Sequence, residues 1–181
     1  MITPSKIEIS IVIPTQNDGQ LLEKVLNGIN DQTLLPTIIV IVDSSTNENI
    51  KEFCEEYKGI VSIIYHREKN TYPGKARNIG AQISSGPWIG FLDSKTVPEK
   101  DWLERYFSLI KAYHSDVIFG YTQFEATLHF QKTLRAATYG QIGHHTVPGT
   151  LIKKKVFIDS GEFLEHVRMG EDIEWRDRLV K

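Results

Sequence analysis

Two hydrophobic periods take turns along the first two-thirds of the chain, and this alternation restricts the fold more than any other feature. Residues 7–14 are β-branched and stop at Pro14, as a strand bounded by a turn does. Residues 19–32 carry Leu21, Leu22, Val25, Leu26 and Ile29 at helical spacing. Residues 37–42 form an unbroken apolar run, the pattern of a strand buried on both faces. Further along come helical patterns over 48–57, 76–84 and 98–113, interleaved with strand patterns over 61–66, 88–92 and 117–124. Such alternation gives βαβ units, and hence an α/β, Rossmann-like domain: a mostly parallel sheet with helices on both faces.

After residue 124 the pattern loosens. Residues 126–139 read as a helix and 140–149 as a loop, with Leu151 and Ile152 as a short strand before another helix. An amphipathic helix starts near Glu171, and the chain stops inside it at Lys181. Residues 1–181 are therefore expected to be one domain of a C-terminally shortened protein, with Ile173, Trp175 and Leu179 missing part of their packing.

With 181 residues, 40% of them hydrophobic and 24% charged, the chain suits one sizeable globular core. A net charge of -2 offers no broad basic face, which sets nucleic-acid binding aside. The single cysteine, Cys54, has no internal disulfide partner and reads as a small apolar residue on its helix. The first eight residues lack the apolar core of a signal peptide, and no stretch is long enough to span a bilayer. A cytoplasmic protein is expected, including one peripheral to the inner face of a membrane.

Open parallel sheets bind ligands beyond the carboxyl ends of their strands. The first strand runs into Pro14, Thr15, Gln16 and Asn17, the second into Asp43, Ser44, Ser45 and Thr46, and the fourth into Asp93, Ser94 and Lys95. Each group would also serve as a helix cap. Capping is the stronger reading for Ser45 or Thr46, and a ligand role for Asp43 and Asp93. Lys75 and Arg77 follow Pro73-Gly74 at a helix start and suit a diphosphate, or equally a solvated helix face. His144 and His145 are adjacent, which is not a metal-ligand spacing, and read as surface or acceptor-side wall.

Seven stretches, in order, resemble family 2 glycosyltransferases of the GT-A fold. They are Ile11-Val12-Ile13-Pro14-Thr15 with Asn17; Val42-Asp43-Ser44-Ser45-Thr46; Gly74, Ala76-Arg77-Asn78 and Gly80; and Phe91-Leu92-Asp93-Ser94. Gly149-Thr150-Leu151-Ile152-Lys153-Lys154, then Gly161, Phe163 and Glu165, then Gly170-Glu171-Asp172 with Glu174-Trp175 complete the set. The resemblance implies inverting transfer of a sugar from a nucleoside-diphosphate sugar, a UDP-sugar favoured, to a saccharide or lipid-linked acceptor in glycan or polysaccharide biosynthesis. It implies that Pro14 and Thr15 contact the nucleobase, that Asp43 reads its polar edge, and that Arg77 lies near base and diphosphate. Asn17, Ser44, Lys75, Ser94 and Lys95 complete the expected nucleotide set. Asp93 opens the family's D-x-D, which binds ribose and a divalent ion, Mg²⁺ or Mn²⁺. In the Glu171-Asp172 pair the aspartate resembles the general base.

Two positions depart from that pattern: Ser44 stands where a second aspartate is common, and Lys95 replaces the second D-x-D aspartate. Lys95 either supplies its own charge to the diphosphate with no metal, or points to solvent in a non-catalytic nucleotide-sugar-binding module. A nucleotidyltransferase would want a Gly-rich, basic loop after the first strand, which Pro14-Thr15-Gln16-Asn17-Asp18 does not supply.

Overall fold

The computed structural model describes residues 8–138, 140 and 142–180. Ile7, expected in the first strand, and Tyr139, expected to end a helix, lie outside the described residues. In chain order the elements are β1 (Ile9–Thr15), α1 (Gly19–Asn30), β2 (Ile38–Asp43), α2 (Asn49–Glu56), β3 (Ile63–Arg67), α3 (Pro73–Ile83) and β4 (Trp88–Phe91). Then follow α4 (Trp102–Tyr113), β5 (Val117–Thr122), α5 (His129–Thr138), β6 (His144–Lys153), α6 (Lys154–Asp159) and α7 (Glu171–Val180). The strands form one sheet in the order β3-β2-β1-β4-β6-β5. β1 pairs in parallel with β2 and β4, and β2 with β3, while β6 runs antiparallel between β4 and β5.

The order explains where a ligand can sit. From β1 the chain steps outward to β2 and β3, then crosses back over α3 to place β4 on the other side of β1. Strand order reverses at β1, so a crevice opens between the carboxyl ends of β1 and β4.

Alternation along β1 divides the core in two. Ile9, Ile11 and Ile13 pack on one face with Leu22, Val25, Leu26 and Ile29 of α1, Ile50 of α2, and Trp102, Leu103 and Phe107 of α4. Val12 faces the opposite cluster, with Val40, Ala76, Ala81, Phe91, Phe157 and Trp175. The expected two-sided cover is thus present. α3 lies so close to β1 that a Cβ on Gly80 would collide with the Val12 side chain. Cys54 packs against the first core, and burial, helped by Asp43 and Glu55, pushes its thiol up to about 12. Such a thiol is inert at neutral pH.

Three expectations are corrected. Residues 144–149 are strand, not loop: Gly120, Tyr121 and Thr122 of β5 pair with Thr146, His145 and His144. Pro148 and Gly149 read locally as breakers, but they sit beside a register shift between Ile118 and Gly120, where a proline costs no ladder bond. α3 begins at Pro73, three residues before the expected start, because a proline at the first helical position loses no hydrogen bond. Trp175 has full packing: it is 0% exposed, with the rings of Phe163 at 4.6 Å, Phe157 at 5.7 Å, and Phe91 and Phe119 at 6.2 Å. Ile173 is exposed, whereas Leu179 is partly buried against the second core. No described helix is long and apolar enough to cross a membrane.

Candidate active site

Strand register brings the polar ends together. Thr15 and Asp43 are direct partners across β1 and β2, and the Ser44 amide donates to the Thr15 carbonyl at 2.9 Å. On the other side the Leu92 amide donates to Val12 O at 3.0 Å, which sets Asp93 just past β4. The start of α3 closes the third side. The result is a cleft of about 240 Å³. Seven of the ten nucleotide-binding residues expected from the sequence line it: Pro14, Thr15, Ser44, Arg77, Asp93, Ser94 and Lys95.

The other three lie elsewhere. Asp43 is 0% exposed, and its carboxylate accepts from the Ser45 amide and the Tyr65 hydroxyl, both at 2.8 Å. Burial and that bond push the Tyr65 phenol up to about 12. Arg67 stands 3.9 Å from Asp43, donates to Ser45 O and pairs with Glu48. Asp43 therefore shapes the loop after β2 from beneath. Asn17, in the left-handed region at φ 58°, ties two loops together: its amide donates to Ser45 Oγ at 2.7 Å and its Oδ1 accepts from the Thr46 amide at 3.3 Å. Lys75 turns away and pairs with Glu68 at 2.7 Å, a hydrogen bond that raises the lysine pKa and lowers the glutamate's.

At the back of the cleft is Arg77, 5% exposed. Its Nη2 donates to Asp93 Oδ1 and its Nη1 to Glu171 Oε1, both at 2.8 Å, and its guanidinium lies 5.5 Å from the Phe163 ring centre. Burial works against the charge, but Asp93 and Glu171 outweigh it and hold the pKa above the ordinary arginine value. One guanidinium thus ties the end of β4 to the first turn of α7. Close packing of α3 there needs Gly74, since a Cβ would strike the Leu164 carbonyl. Asp172, next to Glu171, is half-buried, and its Oδ1 accepts from the Ile173 amide at 2.9 Å. Acids in the first turn of α7 match the positive end of its dipole.

Sequence reasoning passed over Asp18 and Thr71, which also line the cleft. Asp18 occupies the N-cap position of α1, where an acid reads as a cap, yet its side chain accepts from Ser94 Oγ at 3.1 Å instead. The hydroxyls of Thr15 and Thr71 are buried at the cleft wall with no hydrogen-bond partner among the described residues. An unsatisfied buried hydroxyl costs about 1–3 kcal/mol, so a rotation of either side chain toward the cleft would gain it a polar ligand atom as partner.

A divalent ion does not fit the side chains at hand. Asp93 is held by Arg77, and the position two residues on is a lysine. Among the described residues no three His, Cys, Asp or Glu side chains gather as metal ligands would. His144 and His145 are exposed on β6, with the His145 ring 5.5 Å from that of Tyr121.

An open sheet with polar strand ends at a switch point, and an acidic helix start facing them, defines an α/β domain of the GT-A type. Residues 10–163 match the sequence profile described as Glycosyl transferase family 2, and the chain belongs to that family. Glycosyltransferase AglE of Haloferax volcanii is 27% identical over 95% of this chain and 61% of its own length. The poly(ribitol-phosphate) beta-N-acetylglucosaminyltransferase TarP of Staphylococcus aureus is 27% identical over 62% of this chain and 36% of its own. The crystal structure of S. aureus TarS 1–349 in complex with UDP-GlcNAc superposes with a TM-score of 0.72 at 23% identity, covering 95% of this chain and 53% of that one. The likeness to TarS shows a shared fold. The chain spans less than two-thirds of each of these relatives.

Proposed function

We propose that the chain is the donor-binding and catalytic part of an inverting glycosyltransferase that takes its sugar from a nucleoside diphosphate, UDP being favoured. The observation that carries this reading is the switch-point cleft, with the unpartnered Thr15 and Thr71 hydroxyls on its wall and Lys95 at its rim. Membership of the family supports it, as do UDP-GlcNAc bound to a protein of the same fold and the named activities of the relatives.

In this reading Pro14 and Thr15 meet the base and ribose, while Asp43 holds the neighbouring loop in place from below. Arg77 offsets part of the negative charge of Asp93, which would otherwise repel the diphosphate more strongly, and fixes Glu171 so that α7 keeps its station. Asp172 acts as general base. The acceptor oxygen attacks the anomeric carbon from the face opposite the diphosphate, its proton passes to the Asp172 carboxylate, and the diphosphate leaves with the electrons of the broken C–O bond. The acceptor is a saccharide or lipid-linked hydroxyl, and a lipid carrier would bring the chain to a membrane surface as a peripheral protein.

Asp172→Asn tests the assignment. Transfer from a panel of UDP-sugars should fall about 10²- to 10⁴-fold, the usual worth of a general base, while donor affinity by calorimetry stays put. Equal loss of both would make Asp172 a structural acid at a helix start. Donor binding by the wild type with no turnover on any acceptor would mark a binding module instead.

A further inference from the structure

A nucleoside diphosphate brings at least two negative charges into the site that holds it, and more charge develops on it as the sugar bond breaks. Four charged side chains line the cleft: Asp18, Arg77, Asp93 and Lys95. Three of them are already engaged. Arg77 sits between Asp93 and Glu171, and Asp18 accepts from Ser94. Lys95 is exposed and forms no ion pair among the described residues, so it is the cleft cation left over for a ligand.

A divalent ion would ask for something else. Mg²⁺ takes oxygen donors in near-octahedral geometry, usually one or two carboxylates with water and phosphate. Here the candidate carboxylate, Asp93, already has Oδ1 on Arg77, and the ammonium two residues further along repels a second cation. No gathering of three ligating side chains compensates among the described residues.

Building on the nucleotide reading above, we propose that this cleft binds its diphosphate without a divalent ion and that Lys95 provides the positive charge. The ammonium offers three rotatable donors on a four-carbon stem, so it can follow the phosphate oxygens from the rim. Arg77 takes the complementary part by holding Asp93 and Glu171 and offsetting part of their charge. The division of labour is one buried cation for the protein's own carboxylates and one exposed cation for the ligand.

Calorimetric titration of UDP into the wild type, with EDTA and then with Mn²⁺, decides the matter, with Lys95→Ala and Lys95→Asp alongside. Wild-type affinity should be the same in both buffers. Lys95→Ala should bind about ten- to a hundred-fold more weakly in both, as loss of a charged hydrogen bond implies, with its unliganded melting midpoint unchanged. Lys95→Asp should lose metal-free binding and recover it with Mn²⁺, since the change rebuilds a two-aspartate site. Wild-type binding that appears only with Mn²⁺ overturns the proposal while leaving the nucleotide reading intact. Undiminished affinity in Lys95→Ala, or metal-free affinity in Lys95→Asp equal to the wild type's, overturns it too. No binding of UDP, or of ADP, GDP, CDP or dTDP in its place, in any buffer removes the nucleotide reading and this proposal with it.

Discussion

Replacing Arg77 with alanine should destabilise the fold by about 3–5 kcal/mol, the usual cost of removing one partner from a buried ion pair. The side chains of Arg77 and Glu171 are each 6% exposed, so the change strands a carboxylate that water barely reaches. Asp93, at 28%, can be partly rehydrated, and Glu171 therefore carries most of the loss. Urea unfolding should show a lower midpoint at an unchanged slope. Arg77→Lys should recover only part of it, because one ammonium cannot reproduce a planar fork reaching two carboxylates. A drop below about 1 kcal/mol in Arg77→Ala would mean that the strap between β4 and α7 is slack.

Trp175→Ala should cost a similar amount, about 3–5 kcal/mol, through the cavity left in the second core. The indole is fully buried among Phe91, Phe119, Phe157 and Phe163, and it is the main apolar anchor of α7. Because α7 carries Glu171 and Asp172, transfer should suffer more than donor binding, which Trp175 reaches only through Phe91 at the end of β4. Trp175→Phe should be much milder, at about 1 kcal/mol, since the indole N–H has no partner among the described residues and its loss breaks no bond. Thermal unfolding with near-UV circular dichroism checks both variants. A cost below about 1 kcal/mol for the alanine would show that α7 is not held by this cluster.

How much was legible in the sequence depended on how locally each feature is encoded. β1, β2 and β4 are short apolar runs ended by polar residues, and a buried parallel strand can hardly be written otherwise. β6 was hidden because its outer half is held by pairing with β5, and Pro148 and Gly149 mimic a loop to any local reading. The helix start at Pro73 was missed because Pro-Gly also reads as a turn signal. In the site, strand ends led to Pro14, Thr15, Ser44, Asp93, Ser94 and Lys95 on the cleft, since topology sends them to one edge, while Arg77 was read from its helix start. They could not foretell that Asp43 would be sealed under its own loop, because a ligand-reading aspartate and a loop-fixing one look identical after a strand. Nor could spacing reveal that Arg77 grips Glu171, 94 residues away. That contact exists only once α7 has docked on the aromatic cluster.

We infer that the crevice between the ends of β1 and β4 is a nucleoside-diphosphate site. A crystal of the protein soaked with UDP tests it most directly. The expected density runs through the cleft, with the diphosphate within hydrogen-bond reach of Lys95 Nζ and with ligand atoms meeting the Thr15 and Thr71 hydroxyls. An empty cleft at saturating UDP, or nucleotide bound elsewhere while Thr15 and Thr71 stay without a partner, would contradict the account.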